Sequence, residues 1–134
     1  MSNPSQNDAL GKLILRLTVG FLILFHGTFK ILNPDSLNFI KTKLAAIDLP
    51  TVLAYGVYVG EVIAPLMIIL GFFSRIGALL VLGNMIFALI LVHRAEFLTL
   101  TNTGGWALEL QGFYLFSSLA ILFLGSGKMA IRPD

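Results

Sequence analysis

The chain of 134 residues contains no cysteine. This absence excludes dithiol redox chemistry, iron–sulfur ligation and thiolate zinc sites within the chain. Charge is also scarce, because 12% of the residues are charged and 57% are hydrophobic, whereas a soluble domain carries about 25% charged residues. So few charges cannot cover a water-soluble surface, and the apolar surface must therefore face lipid. The length predicts one domain over residues 1–134.

Strong charge patches and metal-binding motifs are missing as well. Nine basic and seven acidic residues give a net charge of +2, and no basic run stands out. We therefore expect no nucleic-acid partner. A di-iron carboxylate site needs paired Glu-x-x-His motifs, and the sequence has none. We predict no metal site.

Four segments have the length and composition of transmembrane spans. A span needs about 20 mainly apolar residues, and such segments cover about residues 10–32, 51–72, 74–93 and 105–124. Backbone polar groups in lipid must be satisfied within each segment, so these spans should be helices. The sequence thus predicts an all-α integral membrane protein, a four-helix up-down bundle in contact with the lipid bilayer.

A short amphipathic helix is predicted between the first two spans. Apolar residues at helical spacing form one stripe, made of Leu37, Ile40, Leu44 and Ile47. This helix either lies in the membrane interface or packs on the end of the bundle. Basic residues are almost evenly divided between the two sides of the membrane, and we place both termini in the cytoplasm.

Ionisable residues inside spans are costly and usually functional. Depth along a helix follows from a rise of about 1.5 Å per residue. On that basis one half of the membrane contains His26, Lys30, His93 and Glu109, with Glu61 nearer the centre and Arg16 toward the other face. These residues should form an interior polar cluster.

Glu61 is the most informative member of this cluster. Pro65 follows it by four residues and removes the hydrogen bond to the Glu61 carbonyl, so the helix should be disturbed there. Arg16 lies at a depth within reach, and we predict an Arg16–Glu61 pair. Asn84 lies on the opposite face of its helix from His93 and is interpreted as a polar residue that holds helices together. The small residues Gly56 and Gly60 favour close helix packing, either within the bundle or in a homo-oligomer.

A quinone head group fits the polar cluster better than other cofactors do. It needs hydrogen-bond donors and a proton-exchanging acid, with aromatic walls such as Phe25, Phe29, Tyr58, Phe113 and Tyr114. A haem between His26 and His93 is disfavoured, because their depths differ by about 7 Å. The same features also suit a carrier for a small amphiphilic molecule.

Several short motifs follow one another along the chain. They are Arg16, Phe25-His26-Gly27-x-x-Lys30, Leu49-Pro50, Glu61, Leu70-Gly71-Phe72-Phe73-Ser74-Arg75, Val92-His93, Gly104-Gly105-Trp106 with Glu109 and Tyr114, and Leu124-Gly125-Ser126-Gly127-Lys128. Their order and spacing together resemble the DoxX family of small bacterial membrane proteins. The resemblance implies a four-helix bundle in the bacterial cytoplasmic membrane. It also implies an oxidoreductase or a subunit related to quinol oxidases.

These observations lead to a quinone-linked redox component that acts with a partner protein. Glu61 and Glu109 would exchange protons, while His26 and His93 would bind the head group. Lys30 and Arg16 would compensate charge, and Tyr58 and Tyr114 would contact the ligand. A carrier and a non-catalytic accessory subunit are the alternatives, and whether the protein is an enzyme stays open.

Overall fold

The computed structural model describes residues 4–134, so residues 1–3 of the predicted domain lie outside the described residues. The five helices are α1 Pro4–Leu32, α2 Asn38–Ala46, α3 Thr51–Leu70, α4 Ser74–Leu91 and α5 Glu109–Leu124. Short 3₁₀ turns cover Pro34–Leu37 and Arg94–Glu96. Residues 4–134 contain no strand, only two isolated bridge pairs. The predicted all-helical class is confirmed.

Three of the helices are long and apolar enough to cross a membrane. They are α1 with 29 residues, α3 with 20 and α4 with 18, whereas α5 is a shorter apolar helix of 16 residues. Many large apolar side chains on these helices are exposed, including Phe25, Phe113 and Phe123. The molecule is therefore a multi-pass membrane protein whose exposed apolar surface contacts lipid.

The fourth predicted span starts too early, because α5 begins at Glu109 and not at residue 105. The preceding segment folds back on itself instead. The amide of Ala107 donates to the carbonyl of Thr99 at 3.0 Å, and the indole of Trp106 donates to the carbonyl of Phe97 at 2.8 Å. Gly104 has a φ of 91°, a positive value that favours glycine and that a right-handed helix does not contain.

Helix α2 packs on the end of the bundle through part of its predicted stripe. Leu37 is 1% exposed and Leu44 is fully buried, while Ile47 is 56% exposed. Lys41 Nζ donates to the Tyr55 hydroxyl at 2.8 Å and so ties α2 to the start of α3. Two of the four stripe positions therefore serve packing, which favours the second of the two predicted placements.

The apolar core takes residues from all four long helices. It consists of Val19, Ile23, Ala64, Ile68, Ala78, Val81, Met85, Tyr114 and Ile121. Small residues let the backbones approach closely, as at Gly60, where an added side chain would overlap Asn84 of α4. Gly60 is thus used within the chain, whereas Gly56 is exposed.

Arg16 lies at one end of the bundle and is a buried cation, since it is only 1% exposed. Its guanidinium donates to the carbonyls of Ile68 (2.9 Å), Ile69 (3.0 Å), Ser126 (2.9 Å) and Met129 (2.8 Å). The first two carbonyls end α3, and the other two belong to the segment after α5. One side chain from α1 therefore joins three parts of the chain.

The segment 125–134 is fixed across this end of the bundle. The amide of Ile131 donates to the carbonyl of Leu70 at 3.1 Å, and the amide of Arg132 donates to that of Gly71 at 3.0 Å. The Asp134 carboxylate accepts hydrogen bonds from the Ser74 hydroxyl (2.6 Å), the Arg75 amide (2.9 Å) and the Ser126 amide (3.0 Å). It therefore links the start of α4 to the segment after α5.

Replacing Arg16 should unfold the protein at markedly lower temperature. Arg16→Met leaves four carbonyl acceptors without their donor, and we expect a loss of roughly 3 kcal/mol or more. Thermal unfolding in mild detergent measures the change. Lys12→Met is the matched control on α1, because Lys12 pairs with the exposed Asp8 and should cost less than about 1 kcal/mol. Equal losses in the two variants would contradict this role of Arg16.

The Asp134 contacts should weaken in acid. Partial burial raises the pKa of the Asp134 carboxyl, but the three donated hydrogen bonds and the charge of Arg75 outweigh burial and hold the pKa below its ordinary value. A pKa lowered by folding means that the contact stabilises above the ordinary aspartate range and is lost as pH falls through the folded pKa. We expect the Arg75 amide NMR signal to titrate at that low pH. The titration should vanish in Asp134→Asn, and a midpoint at or above the ordinary pKa would refute the assignment.

Candidate functional site: a buried lysine–glutamate pair between two cavities

An ion pair joins α1 to α3 at the end of the bundle opposite Arg16. Lys30 Nζ lies 2.6 Å from Glu61 Oε1, with side chains that are 25% and 7% exposed. The other carboxylate oxygen accepts a hydrogen bond from Asn84 Nδ2 of α4 at 3.3 Å. Both carboxylate oxygens of Glu61 are therefore paired, as burial of a charge requires.

The local sequence explains how Glu61 reaches this position. Val59–Ile63 form a π-helical segment within α3, immediately before the turn that contains Pro65. The predicted disturbance of the helix is thus present at Glu61. Gly27 of α1 faces the Glu61 carbonyl so closely that a side chain there would overlap it. A π segment of this kind often lies at a functional site.

One predicted partner of Glu61 is wrong, and another was missed. The predicted Arg16–Glu61 pair does not form, because Arg16 donates to backbone carbonyls and Glu61 pairs with Lys30. Asn84 holds helices together as predicted, but it does so at the site, because it donates to the Glu61 carboxylate and lines a cavity together with His93. The sequence contained both partners, but depth alone could not decide which cation reaches the carboxylate.

Two cavities meet at the ion pair. The first has a volume of about 110 Å³ and is lined by Ile23, His26, Lys30, Glu61, Met85, Ala88, His93, Leu110, Gln111 and Tyr114. The second has a volume of about 200 Å³ and is lined by Lys30, Ser36, Phe39, Ile40, Val57, Glu61, Asn84, Phe87, Ala88, Leu91, Val92 and His93. Lys30, Glu61 and His93 line both, so the pair stands between them.

The histidines and tyrosines of the prediction lie around this pair. His26 meets Tyr114 edge to face, with ring centroids 6.0 Å apart. His93 Nδ1 lies 3.1 Å from Glu96 Oε1. The Tyr58 hydroxyl donates to the Lys30 carbonyl at 3.2 Å and so holds the end of α1 against α3. The structure brings together His26, Lys30, Glu61, His93 and Tyr114 in one site.

Other predicted site residues lie elsewhere. Glu109 lines neither cavity. It lines a neighbouring groove of about 410 Å³, which shares Leu110 and Tyr114 with the first cavity. Phe25 and Phe29 are 72% and 59% exposed and do not form cavity walls. Their helical faces point away from α3, which a sequence without a known bundle geometry does not reveal.

Three polar residues of the site were not predicted. Gln111 lines the first cavity and Ser36 the second, while Asn84 binds Glu61. The Ser36 Oγ is buried, and it has no hydrogen-bond partner within residues 4–134. Gln111 lies two residues after Glu109, and a search for neutral polar side chains in spans would have found it and Asn84. Ser36 carries no such signal, because it lies in a connection.

Fold and site define a helical multi-pass membrane protein with an internal ion pair beside small cavities. The chain belongs to the DoxX family, whose model matches residues 11–94, and the predicted resemblance is confirmed. That range contains Lys30, Glu61, Asn84 and His93. An uncharacterized protein of Haemophilus influenzae is 31% identical over 125 residues, covering 90% of this chain and 85% of the relative. No solved structure matches the chain.

A double-mutant cycle should show that Lys30 and Glu61 are coupled. Either Lys30→Met or Glu61→Gln leaves a polar partner buried without its counter-charge, and the double variant removes both. We expect a coupling free energy of about 2 kcal/mol between the two positions in unfolding measurements.

The matched cycle uses Arg16→Met with Glu61→Gln. These two residues share no partner, so their effects should add to within about 0.5 kcal/mol. Additive effects at Lys30 and Glu61, or strong coupling at Arg16 and Glu61, would show that the pair is assigned wrongly.

Proposed function

We propose that this DoxX-family protein binds a quinone head group beside the Lys30–Glu61 pair and serves as the membrane component of an oxidoreductase. The observation that carries the proposal is the pair itself, a cation and a carboxylate held next to two small cavities. Ionisable groups placed this way inside a membrane protein mark sites of ligand binding or proton exchange.

The second cavity has unused hydrogen-bonding capacity that suits a carbonyl-bearing ring. The buried Ser36 Oγ has no partner among the described residues, and Ser36 lines the same cavity as Lys30 and Asn84. The ammonium of Lys30 carries three donors, and Glu61 accepts one of them. Apolar and aromatic walls from Phe39, Ile40 and Phe87 complete the cavity. These features fit a small polar ring on an apolar tail.

Each residue of the site has a role in this proposal. A bound quinone supplies two-electron chemistry, taking up two protons when it is reduced to the quinol. Lys30 and Ser36 donate hydrogen bonds to the ligand, and His93 lines the cavity as a further donor. Glu61 exchanges the protons, with His26, Gln111 and Tyr114 on the other side of the pair. Glu109 and Arg16 have no part, because neither lines the two cavities.

The electrons must come from a redox partner protein, because the site residues themselves are not electron carriers. We further propose that the four long helices cross the bacterial cytoplasmic membrane in an up-down bundle. Gly27 lies near Glu61 and Gly20 near Ile69, which supports opposite directions for α1 and α3. Both termini are placed in the cytoplasm, and Gly56 is the candidate contact for a homo-oligomer.

A carrier for a small amphiphile is the second candidate. The observation that favours it is the position of the ion pair between two cavities that share Lys30, Glu61 and His93. Separation of the pair would join the cavities into one path. A non-catalytic accessory subunit, the remaining alternative, would not require either cavity.

Mass spectrometry of small molecules extracted from protein purified in mild detergent tests the quinone proposal. We expect a near-stoichiometric isoprenoid quinone with the wild type. Glu61→Gln and Ser36→Ala should lower the retained amount roughly tenfold, because each removes a polar group that fixes the head group. Thermal unfolding of each variant verifies that it remains folded.

Glu109→Gln is the matched control, since it makes the same chemical change outside both cavities and should retain the quinone. Absence of quinone from the wild type, or equal retention in Glu61→Gln and the wild type, would refute the redox proposal. Movement of an amphiphile across liposomes without any redox change would then support the carrier.

A further inference from the structure

A large groove runs between α2 and α4 beside the proposed quinone site, and it shares Phe87, Leu91 and Val92 with the second cavity. Its volume is about 690 Å³, and it is lined by Lys43, Ala46, Ile47, Leu49, Gly83, Ile86, Phe87, Ile90, Leu91, Val92, Arg94 and Ala95. Two of these residues are cations and none is acidic. The cations lie at α2 and just beyond the end of α4, whereas the wall along α4 is apolar. Such a groove is amphipathic along its length.

The apolar part of the groove continues along the bundle. Gly83 and Phe87 also line a neighbouring groove of about 450 Å³ between α3 and α4, together with Leu53, Gly56, Val57, Val59, Gly60, Leu79, Leu80 and Asn84. Gly83 has no atom within 4 Å of the position that a side chain would occupy. The missing side chain at Gly83 therefore keeps the two grooves open to each other.

The two cations are not neutralised by the acids around them. Within residues 4–134, Lys43 Nζ lies over the Phe39 ring, 5.3 Å from its centroid, and forms no ion pair. Glu96 is the nearest acid along the chain to Arg94, and its carboxylate contacts His93 Nδ1 at 3.1 Å. Arg94 and Lys43 thus offer positive charge to a ligand from outside the chain.

We propose that this groove binds one anionic phospholipid. Lys43 and Arg94 hold the head-group phosphate, and an acyl chain lies along α4 past Ile86, Phe87 and Gly83. Arginine suits phosphate because its planar guanidinium can donate two parallel hydrogen bonds. Lysine and arginine side chains near a membrane surface attract anionic lipid head groups. The cations lie at one end of the groove and the apolar wall extends from them, just as the acyl chain of a phospholipid extends from its charged head group.

Native mass spectrometry with matched lipids tests the proposal on the whole protein. Phosphatidylglycerol should bind more tightly than phosphatidylethanolamine with the same acyl chains. The double variant Lys43→Gln/Arg94→Gln should lower the phosphatidylglycerol affinity by about thirty-fold, since each cation near the membrane surface contributes about a factor of five. Lys12→Gln/Lys128→Gln, at the Arg16 end of the bundle, is the matched control and should leave the affinity unchanged.

Gly83→Leu tests the apolar part separately from the charges. The added side chain enters open space, so the fold should keep its thermal stability in detergent while bound phosphatidylglycerol falls at least about tenfold, because the chain path is filled. Soluble glycerol phosphate should not compete, which separates a lipid from a free phosphate compound.

Equal binding of the two lipids would overturn the proposal, as would a double variant that binds phosphatidylglycerol like the wild type. Retention of lipid in Gly83→Leu would overturn the assigned chain path. Dimers that dissociate in Gly83→Leu, with lipid binding unchanged, would assign the groove to a second copy of the chain instead.

Discussion

The guanidinium of Arg16 lies within lipid-embedded helices, and its hydrogen bonds within residues 4–134 go to backbone carbonyls. Four backbone carbonyls accept its hydrogen bonds, two at the end of α3 and two in the segment after α5. Unpaired polar groups are costly in such an environment, so the two segments must lie where Arg16 can reach them. The tight α3–α4 turn and the contacts of Asp134 with Ser74 and Arg75 follow from that arrangement.

The opposite end of the bundle accommodates a cation in a different way, and the difference has chemical consequences. The guanidinium of Arg16 uses four of its five N–H groups on backbone acceptors, so its role is structural. The ammonium of Lys30 meets one carboxylate beside two cavities. Spare donors on the Lys30 ammonium, the Glu61 carboxylate and adjacent open space occur together at this end of residues 4–134.

Helix α2 connects the two binding regions proposed for this protein. Phe39 and Ile40 line the cavity beside Lys30 and Glu61, whereas Lys43, Ala46 and Ile47 line the long groove along α4. One short helix therefore contacts both. Its buried anchors, Leu37 and Leu44, fix both sets of side chains relative to the bundle, so displacement of α2 would change the cavity and the groove together.

The sequence by itself determined the helical membrane class, the approximate positions of the long apolar helices, the family and the local disturbance at Glu61. These follow from apolar run length, from the rule that lipid-embedded backbone must be satisfied internally, and from the missing amide of Pro65. Depth is proportional to residue number along a helix, and on that basis the sequence predicted His26, Lys30, His93 and Glu109 in one half of the membrane, with Glu61 nearer the centre.

Only the tertiary structure decided which of these residues meet. Partner choice depends on the rotation of each helix about its axis and on how closely neighbouring backbones approach, and sequence spacing constrains both only weakly. Gly27 lets α1 touch α3 at Glu61, which selects Lys30 and not Arg16 as the partner. The same packing brings Asn84 to Glu61, whereas Glu109 lines a neighbouring groove. Residue type and depth identified the candidates, and helix rotation and packing selected among them.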